Sequence, residues 1–313
     1  MRALITGVEG QDGYFLAKEL SEKGYEVFGG YLAKPNLELD CSLVELDVTN
    51  LEAVENLIQK VKPEVIFHLA GISNVAQAES NPELAQRVNV NGLENVITAV
   101  EANPNVHIVN ASSVEIFNHS NVKITEDSEL GGSSVYAKTK LEAFELARSK
   151  RNNGIKISNA ILSNHESHLR PTTFVTGKLA DGVARISLGM ESHIEFGNIN
   201  VGRDWSSASD IVSGLVKIAE TKFVGDVILA SGVTTTLIEL IEISFNSVGI
   251  PNWQDYVVIR EDLVRSESLI KEFDITKARK VLGWEPVSFA DIWMTEMVKF
   301  RIGENSKGAS NET

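Results

Sequence analysis

The chain has 313 residues, of which 43% are hydrophobic and 23% are charged, and its formal net charge is −14. This composition is typical of a globular protein, and the negative charge argues against nucleic acid or an anionic membrane as a partner. The sequence has no apolar run of roughly 18 residues that could cross a bilayer, no room for a signal peptide before its first strand pattern, and one cysteine, Cys41. We therefore expect a cytoplasmic protein without a disulfide framework.

The first 165 residues alternate short apolar runs with helical patterns. Strands are predicted at 3–5, 26–28, 43–46, 65–69, 106–110 and 155–162, and helices at 14–23, 51–61, 82–102 and 135–150. Near-continuous apolar strands that alternate with helices indicate a parallel sheet covered on both faces. The predicted fold class is therefore α/β, with a Rossmann-type doubly wound parallel sheet in residues 1–165.

The alternation loosens in the second half of the chain. Helices are predicted at 174–188, 237–247 and 277–282, a strand at 227–229, and a polar, frayed tail from residue 303. Gly283 follows the third of these helices, as a C-terminal glycine should. The pattern indicates a smaller substrate-binding domain made of 166–205 and 231–313, with a segment around 206–230 that returns to the first domain.

A glycine-rich motif at Thr6–Gly13 directly follows the first strand and opens a helix. Its glycines, Gly7, Gly10 and Gly13, are three residues apart, a spacing that permits a tight turn and brings backbone N–H groups close to a pyrophosphate. Asp47 follows the third strand, where it can meet an adenine amine. The motif predicts a dinucleotide-binding site.

Tyr136 and Lys140 are four residues apart on a predicted helix and therefore share one face. A lysine ammonium beside a phenol favours the phenolate, which would make Tyr136 a usable base. Ser113 and Glu115 stand at the end of the fifth strand and point the same way if the chain stays extended. Alternatively, Ser113 belongs to a turn or helix cap and Glu115 is a solvated carboxylate.

Together these features resemble the extended short-chain dehydrogenase/reductase superfamily, and further segments are similar to those of the GDP-mannose 4,6-dehydratase family. The similarity runs along nearly the whole chain. It is carried by Thr6–Gly13, His68–Ala70 with Ser73, Ser113 with Glu115, Ser163–Ser167, Phe174–Lys178, and Gly197–Trp205.

The resemblance implies a reaction in which a sugar is oxidised transiently. Tyr136 would deprotonate the sugar 4-hydroxyl, while Ser113 hydrogen-bonds that oxygen and Lys140 holds the cofactor ribose. Glu115 would take the C5 proton and help to expel the C6 hydroxyl as water, after which a hydride returns to C6. The substrate implied is GDP-mannose or a relative such as a GDP-heptose.

The resemblance also implies binding residues and an assembly. The expected cofactor-binding residues are Gly7, Gly10, Gln11, Asp12, Gly13, Lys34, Asp47, Leu69, Ala70, Tyr136 and Lys140. The expected substrate-binding residues are Ser73, Asn164, Glu166, Lys178, Arg203 and Arg265. Helices at 82–102 and 135–150 would pair across a two-fold axis in a homodimer, or a tetramer, and no metal is expected. His68 and His165 are expected to be structural.

The stretch after the second strand departs from the family pattern. Residues 30–34 lack the family's arginines and extra loop, and they also lack a carboxylate that would bind a ribose diol. The absence of that carboxylate and the presence of Lys34 favour NADP, with NAD as the alternative. Such departures keep other outcomes open: a GDP-4-keto-6-deoxymannose reductase, a GDP-sugar 4-dehydrogenase, an epimerase, or a non-catalytic dinucleotide sensor.

Overall fold

The computed structural model describes residues 1–118, 123–263 and 272–310. Its strands are β1 Arg2–Thr6, β2 Glu26–Tyr31, β3 Ser42–Glu45, β4 Val65–His68, β5 His107–Ser113, β6 Ile157–Leu162, β7 Asn164–Glu166, β8 Ile194–Phe196, β9 Gly202–Ser207, β10 Asp226–Leu229, β11 Thr234–Thr236 and β12 Val257–Ile259. Its helices are α1 Gln11–Glu22, α2 Leu51–Val61, α3 Val75–Ser80, α4 Pro82–Gln86, α5 Gly92–Val100, α6 Val135–Asn152, α7 Val175–Ser187, α8 Ala208–Thr221, α9 Leu237–Asn246, α10 Thr276–Leu282 and α11 Ala290–Ser310.

The central sheet has the strand order β3-β2-β1-β4-β5-β6-β10, and each of its strand pairs is parallel. This is the doubly wound order of a Rossmann fold, extended by one strand from the second half of the chain. Consecutive residues of the inner strands face opposite sides, which is why these strands are apolar throughout: Leu4 belongs to one core cluster and Ile5 to the other. The predicted fold class is confirmed.

Helices cover both faces of this sheet. On one face α1, α8 and α10 bury residues such as Leu16, Leu215 and Leu282. On the other face α2, α5 and α6 bury residues such as Leu57 and Val96. The sequence analysis placed α10 in the substrate-binding domain, whereas the structure packs it against the sheet.

A second core lies between α7, α9 and α11, around Leu179, Leu240, Trp293 and Met294. Two small sheets, β11-β9-β7 and β12-β8, contribute to this core through Trp205 of β9 and Phe196 of β8. The division into two domains with a returning segment at 206–230 stays a prediction, and α8 and β10, which lie within that segment, do pack on the central sheet.

The structure corrects three details of the predicted elements. The helix predicted at 82–102 is interrupted by a π-helical turn at Arg87–Asn91, in which the buried Asn89 side chain bonds Ile72. The frayed tail predicted from residue 303 is wrong as far as Ser310, because α11 continues to that residue. Arg301 of α11 donates to the Arg170 carbonyl oxygen at 2.8 Å. Helix α8 was not predicted as a separate element.

None of the helices in the described ranges is both long and apolar enough to cross a bilayer.

We predict that Gly13→Ala destabilises the protein. A Cβ at Gly13 would lie 2.5 Å from the Val8 Cα, and backbone atoms cannot give way there. We expect a loss of about 1–3 kcal/mol, the usual range for overpacking, measured as a lower Tm in thermal unfolding. The matched control is Gly303→Ala in α11, where a Cβ meets no described atom within 4 Å and stability should rise by up to about 1 kcal/mol. Equal effects of the two substitutions would contradict the prediction.

Candidate active site

A cavity of about 1350 Å³ runs along the carboxyl edge of the central sheet. One end is lined by the loop between β1 and α1 and by the ends of β2 and β3; the other is lined by β7, β9 and the start of α7. Ligands of open α/β sheets bind at this edge. Most of the predicted site residues line the cavity: Gly7, Gly10, Gln11, Asp12, Gly13, Asp47, Leu69, Ala70, Ser73, Ser113, Glu115, Tyr136, Lys140, Asn164, Lys178 and Arg203.

The glycine-rich loop has the geometry that a pyrophosphate requires. Gly7 has φ +73°, and a Cβ there would lie 2.7 Å from the Ala70 Cα. Gly13 lets α1 approach Val8, and a Cβ at Gly10 would meet only the Gly7 carbonyl oxygen, at 3.4 Å. Gly10 is also the N-cap of α1, so the backbone N–H groups and positive dipole end of that helix lie at the cavity. These residues fit a dinucleotide cofactor.

Asp12 was predicted to bind the cofactor, and the structure gives it a bond within the protein. Its Oδ2 lies 2.9 Å from His165 Nε2, and His165 Nδ1 donates to the Ser163 carbonyl oxygen at 2.7 Å. Burial alone would lower the pKa of His165, but the Asp12 carboxylate raises it. Gln11 donates to the His165 carbonyl oxygen at 3.1 Å. These bonds tie the glycine-rich loop to β7, which agrees with the expected structural role of His165.

His68 also has a structural environment. Its Nδ1 lies 2.9 Å from Thr6 Oγ1, between neighbouring strands β4 and β1. Burial, and after it the charge of Lys140, lower the pKa of His68 to about 3. The ring is therefore neutral at physiological pH.

Ser113 and Glu115 lie together in the cavity, but not in the extended conformation that the sequence analysis considered. Strand β5 ends at Ser113, and Val114–Ile116 forms a 3₁₀ turn. The Glu115 backbone N–H donates to Ser113 Oγ at 3.2 Å, so Ser113 caps the turn. Arg203 Nη1 approaches Glu115 Oε1 to 3.8 Å. The Glu115 carboxylate is therefore positioned by the 3₁₀ turn and by Arg203, and not by the alternation of side chains along a strand.

Tyr136 and Lys140 lie one helical turn apart on α6 and both line the cavity. Burial raises the pKa of Tyr136 to about 12, although a hydrogen bond with Ser113 opposes this shift. Burial lowers the pKa of Lys140 to about 8, and its Nζ donates to the Ala111 carbonyl oxygen at 2.9 Å. The expected lowering of the tyrosine pKa is therefore not found in this structure. The carboxylates of Glu115 and Asp12 raise the pKa together with burial, and these effects outweigh the Ser113 hydrogen bond and the charge of Arg170.

Cations and an amide gather at the other end of the cavity. Asn164 is on β7, Arg203 on β9 and Lys178 on α7. The Lys178 Nζ donates to the Glu195 carbonyl oxygen at 2.6 Å and lies 5.3 Å from the centre of the Phe196 ring. This arrangement places amide and cationic donors where the resemblance expected a diphosphate.

Two described residues of the predicted site, Glu166 and Lys34, do not line the cavity. Glu166 is buried, accepts a hydrogen bond from Thr176 Oγ1 at 2.6 Å and pairs with Arg170 at 3.1 Å. Its carboxylate is therefore engaged within the protein, and the substrate role expected of it stays a prediction. Lys34 is exposed and does not line the cavity. Arg265 lies outside the described residues.

Arg170 and Glu9 are among the cavity residues that were not assigned from the sequence. Arg170 lies with its Cζ 3.7 Å from the centre of the Phe174 ring and lines the cavity between the segments of residues 163–167 and 174–178. Its position between two recognised segments was the available signal. Glu9, inside the glycine-rich motif, accepts a hydrogen bond from the Leu32 N–H at 3.0 Å. Within the described ranges, no three His, Cys, Asp or Glu side chains are grouped as metal ligands would be.

Comparison with known proteins agrees with the geometry. A family model described as GDP-mannose 4,6 dehydratase matches residues 4–297. The chain is 29% identical to GDP-mannose 4,6 dehydratase 2 of Arabidopsis thaliana over 99% of this chain and 88% of that protein. It is 30% identical to GDP-mannose 4,6-dehydratase of Sinorhizobium fredii (strain HH103) over 95% of each chain.

The fold is also found among solved structures. The structure of dTDP-glucose 4,6-dehydratase from Bacillus anthracis, in complex with NAD, aligns with a TM-score of 0.84 over 98% of each chain at 18% sequence identity. At that identity the similarity shows a common fold.

We predict that Lys140→Met does not destabilise the protein at neutral pH. The pKa of Lys140 is about 8 in the folded state and 10.5 ordinarily, so the unfolded state binds more protons between these values, and wild-type stability rises with pH there. Below about 8 the full cost of burying the ammonium applies. The Tm advantage of Lys140→Met should therefore shrink as pH rises from about 8 towards 10.5. Lys138→Met, at an exposed position of the same helix, is the control; a pH-independent loss of Tm in Lys140→Met would refute the prediction.

Proposed function

This chain belongs to the GDP-mannose 4,6-dehydratase family, and we propose that it removes water from GDP-mannose or a close relative such as a GDP-heptose. By its family it is an NAD(P)-dependent nucleotide-sugar dehydratase. The observation that carries the proposal is the position of Ser113, Glu115, Tyr136 and Lys140 on one cavity that also contains the glycine-rich loop. A reductase, 4-dehydrogenase or epimerase has no need of the carboxylate in that group.

Removal of a hydride from the sugar C4 and return of a hydride to C6 are the chemistry that a nicotinamide dinucleotide would supply when bound here. Gly7, Gly10 and Gly13 would hold its pyrophosphate, and Asp47 its adenine. Support for such a cofactor comes from the shape of the glycine-rich loop and from the related fold of the Bacillus anthracis dehydratase, which was solved with NAD.

Tyr136 would take the proton of the sugar 4-hydroxyl. Because burial raises its pKa to about 12, this role requires positive charge and hydrogen-bond donation that favour the phenolate. Ser113 already lowers the pKa through its hydrogen bond, and we assign the charge to Lys140, one turn further along α6. The pKa of Lys140, about 8, keeps it cationic at neutral pH.

Glu115 would remove the C5 proton, which the neighbouring ketone makes acidic. The same carboxyl group would then give that proton to the C6 oxygen, so that water leaves. One carboxylate serves both steps because the proton it takes is the one it returns. The 3₁₀ turn capped by Ser113 and the contact with Arg203 fix the position of the carboxylate, which would lie beside the sugar C5.

The nucleotide diphosphate would lie among Asn164, Lys178 and Arg203, with the newly identified Arg170 beside them. Arginine suits this role because its fork meets phosphate oxygens in pairs. The role of Arg265 and the identity of the base as guanine rest on the family resemblance. Ser73, at the end of the loop after β4, would contact the sugar.

We also propose a homodimer through the helices at 82–102 and 135–150. These segments lie side by side on one face of the sheet, where Gln86 Nε2 donates to Glu142 Oε1 at 2.9 Å. Two copies of such a helix pair form a four-helix contact, and two-fold contacts are the commonest in homo-oligomers. Light scattering should give at least the dimer mass at micromolar concentration; a monomer would exclude this interface.

We predict that Glu115→Gln separates oxidation from elimination. Glutamine keeps the shape and hydrogen bonding of the side chain but cannot take the C5 proton. On addition of GDP-mannose, the variant with its dinucleotide should still develop the absorbance of reduced nicotinamide. Release of the 6-deoxy-4-keto product should fall by at least about 10²-fold, the scale of lost acid–base catalysis.

Tyr136→Phe is the matched control for that experiment. It removes the base of the first step, so neither reduced nicotinamide nor product should appear, while both ligands still bind. The dehydratase proposal fails if wild type incorporates no solvent deuterium at C5 and releases a sugar that keeps its C6 hydroxyl.

A further inference from the structure

The glycine-rich loop contains a carboxylate that the dehydratase mechanism does not use. Glu9 stands between Gly7 and Gly10, and its Oε1 accepts a hydrogen bond of 3.0 Å from the backbone N–H of Leu32. Leu32 is the first residue after β2, which ends at Tyr31. Both Glu9 and Leu32 line the cavity. A side chain of the loop after β1 is thereby fastened to the end of the neighbouring strand.

This point of a Rossmann sheet is where the adenosine ribose of a dinucleotide lies. An acidic residue roughly 20 residues after the glycine-rich turn, at the end of the second strand, ordinarily bonds the ribose 2′-hydroxyl, and a nearby arginine accommodates a 2′-phosphate. In this chain the residue that follows β2 is Leu32, 65% exposed, which can do neither. The Glu9 carboxylate, which comes from the loop after β1, lies at the same strand end, because it accepts the hydrogen bond of the Leu32 N–H.

The charged side chains that line the cavity near the end of β2 are acidic. Glu9 and Asp47 are the acids there. The cationic side chains among the described lining residues are Lys140, Arg170, Lys178 and Arg203. They belong to the middle of the cavity and to its opposite end, which β7, β9 and α7 line. Lys34, which supported NADP in the sequence analysis, is exposed and outside the lining, and Glu38 and Asp40 follow it before β3.

We infer that Glu9 selects the unphosphorylated ribose and makes NAD the preferred cofactor of this enzyme. A carboxylate offers several acceptor sites, so Glu9 can keep its bond to Leu32 and still accept a ribose hydroxyl. A 2′-phosphate, which carries close to two negative charges at neutral pH, would be repelled by the same group. The inference rests on the proposed function, since it names the cofactor of that site.

The test is direct binding of NAD and NADP to the purified protein, by calorimetry and without sugar substrate. Wild type should bind NAD at least about tenfold more tightly than NADP. In Glu9→Gln the amide oxygen can still accept the Leu32 N–H while the charge is gone. NADP should then bind about tenfold more tightly than it does to wild type, with the Kd for NAD changed less than about threefold.

A second variant and a change in salt concentration distinguish selection of the cofactor by the Glu9 charge from a purely structural role of Glu9 in its loop. Glu9→Gln combined with Leu32→Arg adds a guanidinium at the end of β2 and should reverse the preference to NADP. Because Glu9 is exposed, the wild-type preference should also weaken in about 1 M salt, where charges are screened within about 3 Å. A purely structural role for Glu9 predicts no salt dependence of the preference.

Lys34→Ala is the matched control, because it removes the cation on which the preference for NADP was based. It should leave the affinities for both dinucleotides unchanged. The inference is overturned if wild type binds NADP more tightly, if Lys34→Ala weakens NADP selectively, or if Glu9→Gln weakens both dinucleotides in parallel. Binding of neither dinucleotide to wild type would instead overturn the proposed function, and this inference with it.

Discussion

The parallel arrangement of the central sheet is the constraint on which the other features depend. When strands run parallel, their carboxyl ends meet at one edge and their loops open towards the same space. Residues far apart in the chain, such as Gly7, Ser113 and Asn164, therefore line one cavity. The close approach of α1 to Val8, which Gly13 permits, then sets how near a helix N-terminus comes to that space.

Burial in this cavity opposes the charge state that catalysis needs. It raises the pKa of Tyr136 to about 12 and lowers that of Lys140 to about 8, so both shifts are towards the neutral form. Lys140 nevertheless stays cationic at neutral pH, so its charge can favour the Tyr136 phenolate. The Ser113 hydrogen bond acts in the same direction.

Much of the fold could be predicted from the sequence because the strands of a covered parallel sheet are apolar on both faces, as Val65–His68 is. The last part of helix α11 could not be predicted in this way. Its large apolar residues, among them Trp293 and Met297, end at Ile302, and the polar remainder up to Ser310 looks like a tail. That remainder makes a tertiary contact, the 3.3 Å hydrogen bond from Asn305 Nδ2 to Asp181 Oδ1, and such contacts leave no periodic pattern.

The same distinction applies to the candidate site. Motif residues such as Ser113 and Tyr136 line the cavity, because each sits at a strand end or helix face that the fold brings there. Their orientation was less predictable: Glu115 reaches the cavity from a 3₁₀ turn, and Glu166, inside a recognised segment, is turned inward to Thr176 and Arg170. A sequence motif indicates which residues occur together, but it does not give the direction in which each side chain points.

Cofactor choice depends on packing as well as on chain order, as the surroundings of Glu9 illustrate. Chain order makes residues 30–34 the end of the second strand, and these residues were the basis of the expected preference for NADP. In three dimensions the loop after β1 also lies beside that strand end, because Glu9 accepts a hydrogen bond from Leu32. A carboxylate 23 residues earlier in the sequence is therefore its neighbour in space. The electrostatic potential at a ligand depends on residues that are neighbours in space. An absence of acidic residues in one segment therefore predicts cofactor preference only when the residues that pack against that segment are also known.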